Sequence, residues 1–452
     1  MRSLVIRNAS IVNEGKIFIS DLLIKNGHIE NINPQITIKE AFTEINGEGK
    51  YLLPGIIDDH VHFREPGLTQ KATIYSESKA AIAGGVTSFM EMPNSIPAAV
   101  THELLEQKYQ IAQTTSLANF SFYLGATNEN LEEIKRTDAG KICGVKIFMG
   151  SSTGQLLVDD TLALENIFRF APALIAAHCE TEQIIKLNEQ LLKDKYGLGI
   201  PITSHPVIRN EEECFLSSKT AIELANKYDS RLHVLHISTE EETALFSNQT
   251  LLDQKKITAE ACVHYLWFTA GDYDRLGPQI KCNPAIKESR HRDKLLQAII
   301  DDRIDLIATD HAPHTWDEKY TMAEGNTINY FKSPSGLPLI QHSLNIMVEL
   351  YRSGKISLEK IVEKMCHAPA TLFRVKKRGF IREGYFADLV LLDLNTSFIV
   401  KKENILYKCG WSPLENTTFH GSITHTFVNG RLVFANGLFD ESINGMRLLF
   451  NH

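Results

Sequence analysis

The sequence predicts an α/β chain: a (β/α)8 barrel of the TIM type carrying a small β-sandwich domain built from both chain ends. Three observations predict it. Apolar, strand-like segments alternate with helically spaced ones through the middle of the chain, which is the rhythm of a parallel sheet with crossover helices. Eight such strand–helix units fit between Gly55 and Phe373, the number that closes a barrel. Both ends break the rhythm and read as short strands separated by polar turns. The expected divisions are residues 1–52 (sandwich), 53–373 (barrel) and 374–452 (sandwich).

Each element has its own signal. At the start, "SLVIRNASIV", "DLLIKNGHIENI" and "EINGEGKYLLP" are strand-like; Asn26-Gly27 marks a hairpin and Gly47 and Gly49 add turn chemistry. The barrel strands are expected in "GIIDDHVHF", "VTSFMEM", "ANFSFYLGAT", "ICGVKIFMG", "ALIAAHCE", "RLHVLHIS", "ITAEACVHY" and "RIDLIATDH". Helical spacing lies between them, as in "IYSESKAAIAGG", "HELLEQKYQIAQ", "TEQIIKLNEQLLKD" and "SSKTAIELANKY". After Phe373, "ADLVLLDL", "SFIV", "SITHTFV" and "GRLVFANG" return to strands, and neither end alone makes a good core.

Composition excludes several classes. With 452 residues, 43% hydrophobic and 23% charged, the chain is long enough for a large core and ordinary for a soluble protein. A formal net charge of −8 argues against a nucleic-acid partner, which leaves a basic footprint. No apolar run is long enough for a membrane span, and "MRSLVIRNASIVNEG" lacks the apolar core of a signal peptide. Seven scattered cysteines without a Cys-x-x-Cys pair suit reduced thiols and a cytoplasmic location.

"DDHVHFREPG" carries the first chemical signal. In a strand, residues two apart share a face, so His60 and His62 project together as a potential metal chelate, with Arg64 just beyond as a fork for an anion. A lone His-x-His more often marks satisfied core histidines. Active sites of these barrels lie at the carboxyl ends of the strands. There the chain places His178, His236 and Asp310 as further metal candidates, with Lys146 in an otherwise apolar fourth strand. Alternation lets only one of His233 and His236 face the barrel axis, and His236 lies nearer the strand end. A lysine desolvated beside two metals would lose its proton and could take up carbon dioxide, giving a carbamate able to bridge them. Imidazole and carboxylate ligands without thiolates suit zinc, with manganese or cobalt as substitutes. Two such ions would produce hydroxide near neutrality and polarise a carbonyl, with Asp310 passing the proton to a leaving nitrogen. Arg64 and Asn94, joined by Asn283 and His314, would hold a carboxylate-bearing small molecule. The polar and aromatic segment 315–333, which contains Gly325, is expected to be a lid over this mouth.

"DDHVHFREPG", "GGVTSFMEMPNS", "ATDHAPH" and "KCGWSPLE" together resemble the dihydroorotases of the longer, bacterial and multifunctional class within the amidohydrolase superfamily. The resemblance runs from the first strands to "FVNGRLVF", and "GFIREGYFADLVLLDL" is similar to the superfamily's return from barrel to sandwich. It implies that His60, His62, His178, His236 and Asp310 hold two zinc ions bridged by carboxylated Lys146. Arg64, Asn94 and His314 would then hold the substrate carboxylate, with Asn283 against the ring. The implied reaction interconverts N-carbamoyl-L-aspartate and L-dihydroorotate in pyrimidine biosynthesis. Relatives are often dimers or tetramers, so a homo-oligomer is expected; association with aspartate transcarbamoylase is left open. Two departures stand out. Many bacterial members bridge with an aspartate, whereas "VKIFMGSSTG" follows the lysine-bridged relatives. "SPSGLP" stands where relatives commonly have Gly-Leu-Glu, which bears on the backbone contacts of Ser335 and Gly336. The alternatives are another cyclic amidohydrolase of allantoinase or hydantoinase type, and a non-catalytic scaffold, although scaffolds usually lose ligands that are all present here.

Overall fold

A computed structural model describes residues 3–39, 41–150, 156–323, 327–442 and 444–451. Eight parallel strands form the barrel: β1 (Ile56–Val61), β2 (Val86–Glu91), β3 (Asn119–Phe122, continued by Leu124–Gly125), β4 (Val145–Phe148), β5 (Ile175–His178), β6 (Leu232–Val234), β7 (Ile257–Cys262) and β8 (Leu306–Ala308). All eight expected segments are strands. They read as continuous apolar runs because both faces are covered, one by the barrel interior and one by helices.

Neighbours pair in chain order. β4 to β7 keep a common level: Lys146 opposite Ala176, Ala176 opposite His233 and His233 opposite Thr258. β8 closes on β1 where the His62 amide donates to the His311 carbonyl at 2.7 Å. β3 meets β4 through Leu124 N to Gly144 O, at 3.1 Å, and Ala126 N to Lys146 O, at 2.8 Å. The helices start where side chains satisfy their first amides. Thr73 caps Ile74–Ala83, Thr101 caps His102–Thr115 and Asn210 caps Glu211–Tyr228.

Both chain ends build one curled nine-stranded sheet. The short strand Tyr51–Pro54 joins them: it runs parallel to Ser3–Asn13, with Ile11 opposite Leu52, and antiparallel to Leu389–Ile399, with Leu391 opposite Leu52. Asn26-Gly27 forms the expected hairpin, with φ of 50° and 85° and Lys25 opposite His28. Asn429-Gly430 makes a second turn of the same kind. The two turns touch, since a Cβ on Gly430 would lie 2.6 Å from the Gly27 Cα. The curl encloses a core separate from the barrel's, containing Leu4, Ile6, Ile11, Leu22, Ile24, Leu52, Leu389, Leu391 and Phe427. The expected barrel with a sandwich-type sheet drawn from both termini is therefore what forms.

The last residues leave this sheet and return to the barrel. Phe120 N donates to Met446 O at 3.0 Å and Leu448 N to Phe120 O at 2.8 Å, covering the open flank of β3 beside β4. No helix among the described residues is long and apolar enough to cross a membrane. Leu391 is fully buried in the small core. Leu391→Ala is expected to lower the unfolding free energy by about 2–5 kcal/mol, read from a denaturant midpoint, while leaving metal content unchanged.

Candidate active site

The carboxyl ends of the strands open into a cavity of about 440 Å³. Every residue singled out from the sequence lines it: His60, His62, Arg64, Asn94, Lys146, His178, His236, Asn283, Asp310 and His314. Asp310 does not cap a helix, because the next one, Trp316–Lys319, is capped by Thr315. Three of these residues, Arg64, His236 and Asp310, sit in the left-handed region with φ of 67°, 42° and 47°. Such conformations are costly for side-chain-bearing residues and gather where a fold holds groups for function.

Each of three imidazoles is held by one nitrogen and offers the other. His60 Nδ1 meets Glu260 Oε1 at 2.6 Å, His62 Nδ1 meets Asn94 Oδ1 at 2.7 Å and His178 Nε2 meets Glu180 Oε2 at 2.7 Å. The partners are oxygen acceptors, so the ring protons sit on these nitrogens and the opposite lone pairs face the cavity. His60 Nε2 and His62 Nε2 lie 3.3 and 3.0 Å from Asp310 Oδ1. The donor atoms of these three residues all fall within 4.8 Å of one another. His178 Nδ1 faces His236 Nε2 at 2.7 Å, forming a second pair deeper along the rim.

Burial pushes the His62 imidazole down to about 4 and lowers His178 and His236 as well, so these rings are neutral at pH 7. Burial alone would lower the His60 imidazole, but Asp310 and Glu260 raise it above its usual value; burial alone would raise the Asp310 carboxyl, but the charge of His60 and the contact with His62 hold it at about 2. Lys146 is fully buried, its amine has no hydrogen-bond partner and lies 4.5 Å from the Phe148 ring centre, and burial lowers it to about 7. Neutral imidazoles at His62, His178 and His236, a His60–Asp310 pair that a cation between them would release, and an orphaned amine that gives up its proton easily are a donor set that fits two divalent cations and a carbamate bridge. The "SSTG" following Met149 and Gly150 lies outside the described residues.

The anion side is built around Arg64. Glu91, paired with Lys108 at 3.0 Å, accepts from the Phe63 amide at 2.9 Å and so fixes the chain entering Arg64. Arg64 Nε donates to Pro313 O at 3.1 Å, and its Nη2 lies 3.0 Å from His314 Nε2. Lys71 Nζ, a donor only, sits 3.1 Å from His314 Nδ1, which puts the imidazole proton on Nε2 facing Ser335 O at 3.0 Å. Arg64 Nη2 thus faces a ring nitrogen that has no lone pair to offer it, and an anion at this edge would supply the acceptor. Asn283 Oδ1 is buried without a hydrogen-bond partner in the same wall, free to accept from a ring N–H.

Several functional residues carried no clear signal in the sequence. Glu260 is a single acid in the apolar segment "ITAEACVHY", and Glu180 pairs with Arg209 at 2.6 Å behind His178. The expectation that only one of His233 and His236 faces inward is corrected. β6 ends at Val234 and His236 adopts a left-handed φ, so alternation stops short of it. His233 lies in the interior one layer below, with Nε2 3.3 Å from Glu260 Oε2 and 3.4 Å from Asp59 Oδ2.

The roof comes in part from the segment 315–333. Tyr330 to Ser333 line the cavity together with Pro334 to Gly336 just beyond that segment, and Gly325 lies outside the described residues. Two buried lysines pin this roof. Lys319 Nζ donates to the carbonyls of Lys281, Pro334 and Gly336 at 3.1, 2.9 and 2.9 Å, and Lys281 Nζ to those of Tyr330 and Ser333 at 2.6 and 2.7 Å. A Cβ on Gly336 (φ 131°) would lie 2.5 Å from Ala312 O and 3.1 Å from His314 Nε2, so backbone rather than side chain walls this part of the cavity.

Fold and site together are those of a barrel hydrolase whose mouth gathers side chains able to hold metal ions. Residues 51–433 match the amidohydrolase family, and the chain belongs to that family. It is 30% identical over 428 residues to the dihydroorotase of Methanosarcina acetivorans, covering 92% of this chain and 88% of that one. It is equally 30% identical over 443 residues to the allantoinase of Solibacter usitatus, covering 96% and 94%. Among solved structures, the L-hydantoinase (dihydropyrimidinase) of Arthrobacter aurescens superposes with a TM-score of 0.91 at 26% identity, covering 97% of this chain and 98% of that one.

Removing the buried amino group of Lys319 leaves three carbonyls without their donor, those of Pro334 and Gly336 in the roof and that of Lys281 beside it. Lys319→Met is expected to speed cleavage between residues 320 and 336 severalfold in limited proteolysis, with little change elsewhere.

Proposed function

We propose that the chain is a zinc-dependent dihydroorotase, closing N-carbamoyl-L-aspartate to L-dihydroorotate and reopening it in pyrimidine biosynthesis. On this reading His60, His62 and Asp310 would hold one zinc ion and His178 and His236 a second, with Lys146, once carboxylated, as the shared ligand. The observation that carries the reading is the Arg64–His314 contact at 3.0 Å, where Arg64 Nη2 faces a ring nitrogen whose proton is turned to Ser335 O, at the cavity edge beside His62 and Asp310. A substrate carboxylate is the acceptor that Arg64 Nη2 does not find in His314.

The two ions, when bound, supply Lewis acidity and a hydrolytic nucleophile at neutral pH. The chain's own residues do the rest. The Arg64 guanidinium binds the carboxylate, joined by the His314 Nε2–H as it exchanges Ser335 O for the substrate oxygen. Asn94 divides its amide: Oδ1 accepts from His62, and the NH2 donates to the substrate. Asn283 Oδ1 accepts from the ring N–H. Asp310, ionised between His60 and His62, takes the proton released as water adds to the ring carbonyl and delivers it to the departing nitrogen. The roof carbonyls and Gly336 restrict bulk water at the reacting face. The cytoplasm, and an assembly of identical subunits, are the setting that accompanies this reading.

The competing reading is an allantoinase or hydantoinase, which the allantoinase at equal identity favours. A panel of dihydroorotate, N-carbamoyl-L-aspartate, allantoin and hydantoins, run on protein of measured zinc content, decides between them. Turnover of dihydroorotate with about two zinc per chain is expected; turnover of allantoin or a hydantoin with none of dihydroorotate would overturn the proposal. Asp310→Asn is expected to abolish turnover while substrate binding persists. Arg64→Met should raise KM for carboxylate substrates by at least tenfold at unchanged zinc content, and equal losses of binding and zinc would contradict its role.

A further inference from the structure

Glu260 stands below the cavity floor and touches both proposed metal positions through one atom. Its Oε1 accepts from His60 Nδ1 at 2.6 Å and from the His236 backbone N–H at 3.0 Å. The second contact matters because His236 holds φ at 42°, a conformation that a β-strand end does not adopt unaided. An ionised acceptor on that amide offsets its cost and turns the imidazole toward His178. The other oxygen, Oε2, is clamped from below by His233 Nε2 at 3.3 Å, and Asp59 Oδ2 backs the same nitrogen at 3.4 Å. His233 Nδ1 is anchored at 2.9 Å to Thr258 Oγ1, which itself donates to Leu232 O at 3.2 Å. Asp59, His233 and Glu260 are all fully buried, so no water competes for these contacts. The other partners of the imidazoles are local by comparison: Asn94 touches His62 alone, and Glu180 touches His178 alone.

We propose that Glu260, held by His233 and Asp59, is the positioning residue that sets the affinity of both metal positions at once. This rests on the reading of His60 and His236 as ligands of two different ions. A carboxylate behind a ligating histidine fixes its tautomer and orientation, and its loss typically costs about 10–100-fold in metal affinity. Here one carboxylate does so for a side chain on β1 and, through the backbone, for another just beyond β6.

The test is zinc binding by chelator competition, equivalent by equivalent, with the thermal midpoint of each metal-free protein measured alongside. Glu260→Met, which keeps the length and removes both acceptors, is expected to weaken both zinc equivalents about tenfold or more. Glu260→Gln, which keeps one acceptor oxygen, should recover most of the loss. Asn94→Ala should weaken one equivalent only. His233→Gln, which loosens the clamp without touching an imidazole ligand, should weaken both by a smaller factor and serves if Glu260→Met fails to fold. The proposal is overturned if Glu260→Met folds and weakens one equivalent or none, or if the Met and Gln variants lose zinc alike. Wild-type protein that binds no zinc would overturn the metal-site reading itself, a failure distinct from that of two tight equivalents untouched by the Glu260 and His233 variants.

Discussion

Burial of charge at the barrel mouth is the constraint on which the rest of this structure depends. Asp58, Asp59, Glu260 and Asp310 share the interior with Lys146 and five imidazoles, all nine-tenths buried or more. Ionised carboxylates in such a place need partners, because desolvation costs several kcal/mol for each. Some are supplied by the chain: Thr309 for Asp58, His233 for Asp59, and His60 for both Glu260 and Asp310. Burial still raises Asp58 to about 7 and Asp59 to about 6. An interior so rich in acids, with Lys146 among them stripped of hydrogen-bond partners, is electrostatically arranged to receive cations.

Holding this cluster open requires stiffness around it. Parallel strands in common register bring Lys146 and His233 to one level and His178 to the next, so the cavity floor is a property of the sheet rather than of loops. The loops add the remaining precision by abandoning strand geometry, with Arg64, His236 and Asp310 all left-handed. The roof is fixed differently, by the two buried amino groups of Lys281 and Lys319 gripping loop carbonyls. The curled terminal sheet stands apart from the chemistry, yet the same chain braces the barrel on its way. Trp411 Nε1 donates to His314 O at 2.8 Å, and Lys408 N donates to Glu77 Oε1 at 3.1 Å, while Glu77 Oε2 binds His311 at 2.8 Å.

Relatives named for three activities match this chain over nearly its whole length, which is what a barrel with one architecture and variable walls allows. What distinguishes substrates lies in the wall groups. Here the wall has a guanidinium and an imidazole sharing one acceptor site, an amide oxygen without a donor, and a roof of bare backbone around Gly336.

Much of this was legible in the sequence. The eight apolar segments, the Asn26-Gly27 turn and the His-x-His with its arginine are local patterns, and local patterns survive in one dimension because they follow from strand periodicity and turn sterics. Most of the ten residues singled out converge on one cavity for the same reason, since they sit at or just past the end of a strand; Lys146 lies within β4, and Asn283 comes 21 residues after β7, in a loop that no strand pattern marks. The supporting layer was not legible. Glu260 in "TAEAC", Glu180 beside His178 and Lys319 in "DEK" look like any buried or surface charge until strands far apart in the chain are set side by side. His233 was misread because alternation holds only while the backbone stays extended, and a left-handed residue ended it. The order of strands and the identity of the mouth residues were thus determined by the sequence alone. Which nitrogen each imidazole offers, and which carboxylate holds it there, was decided only by tertiary structure, because hydrogen-bond partners across a barrel are neighbours in space and not along the chain.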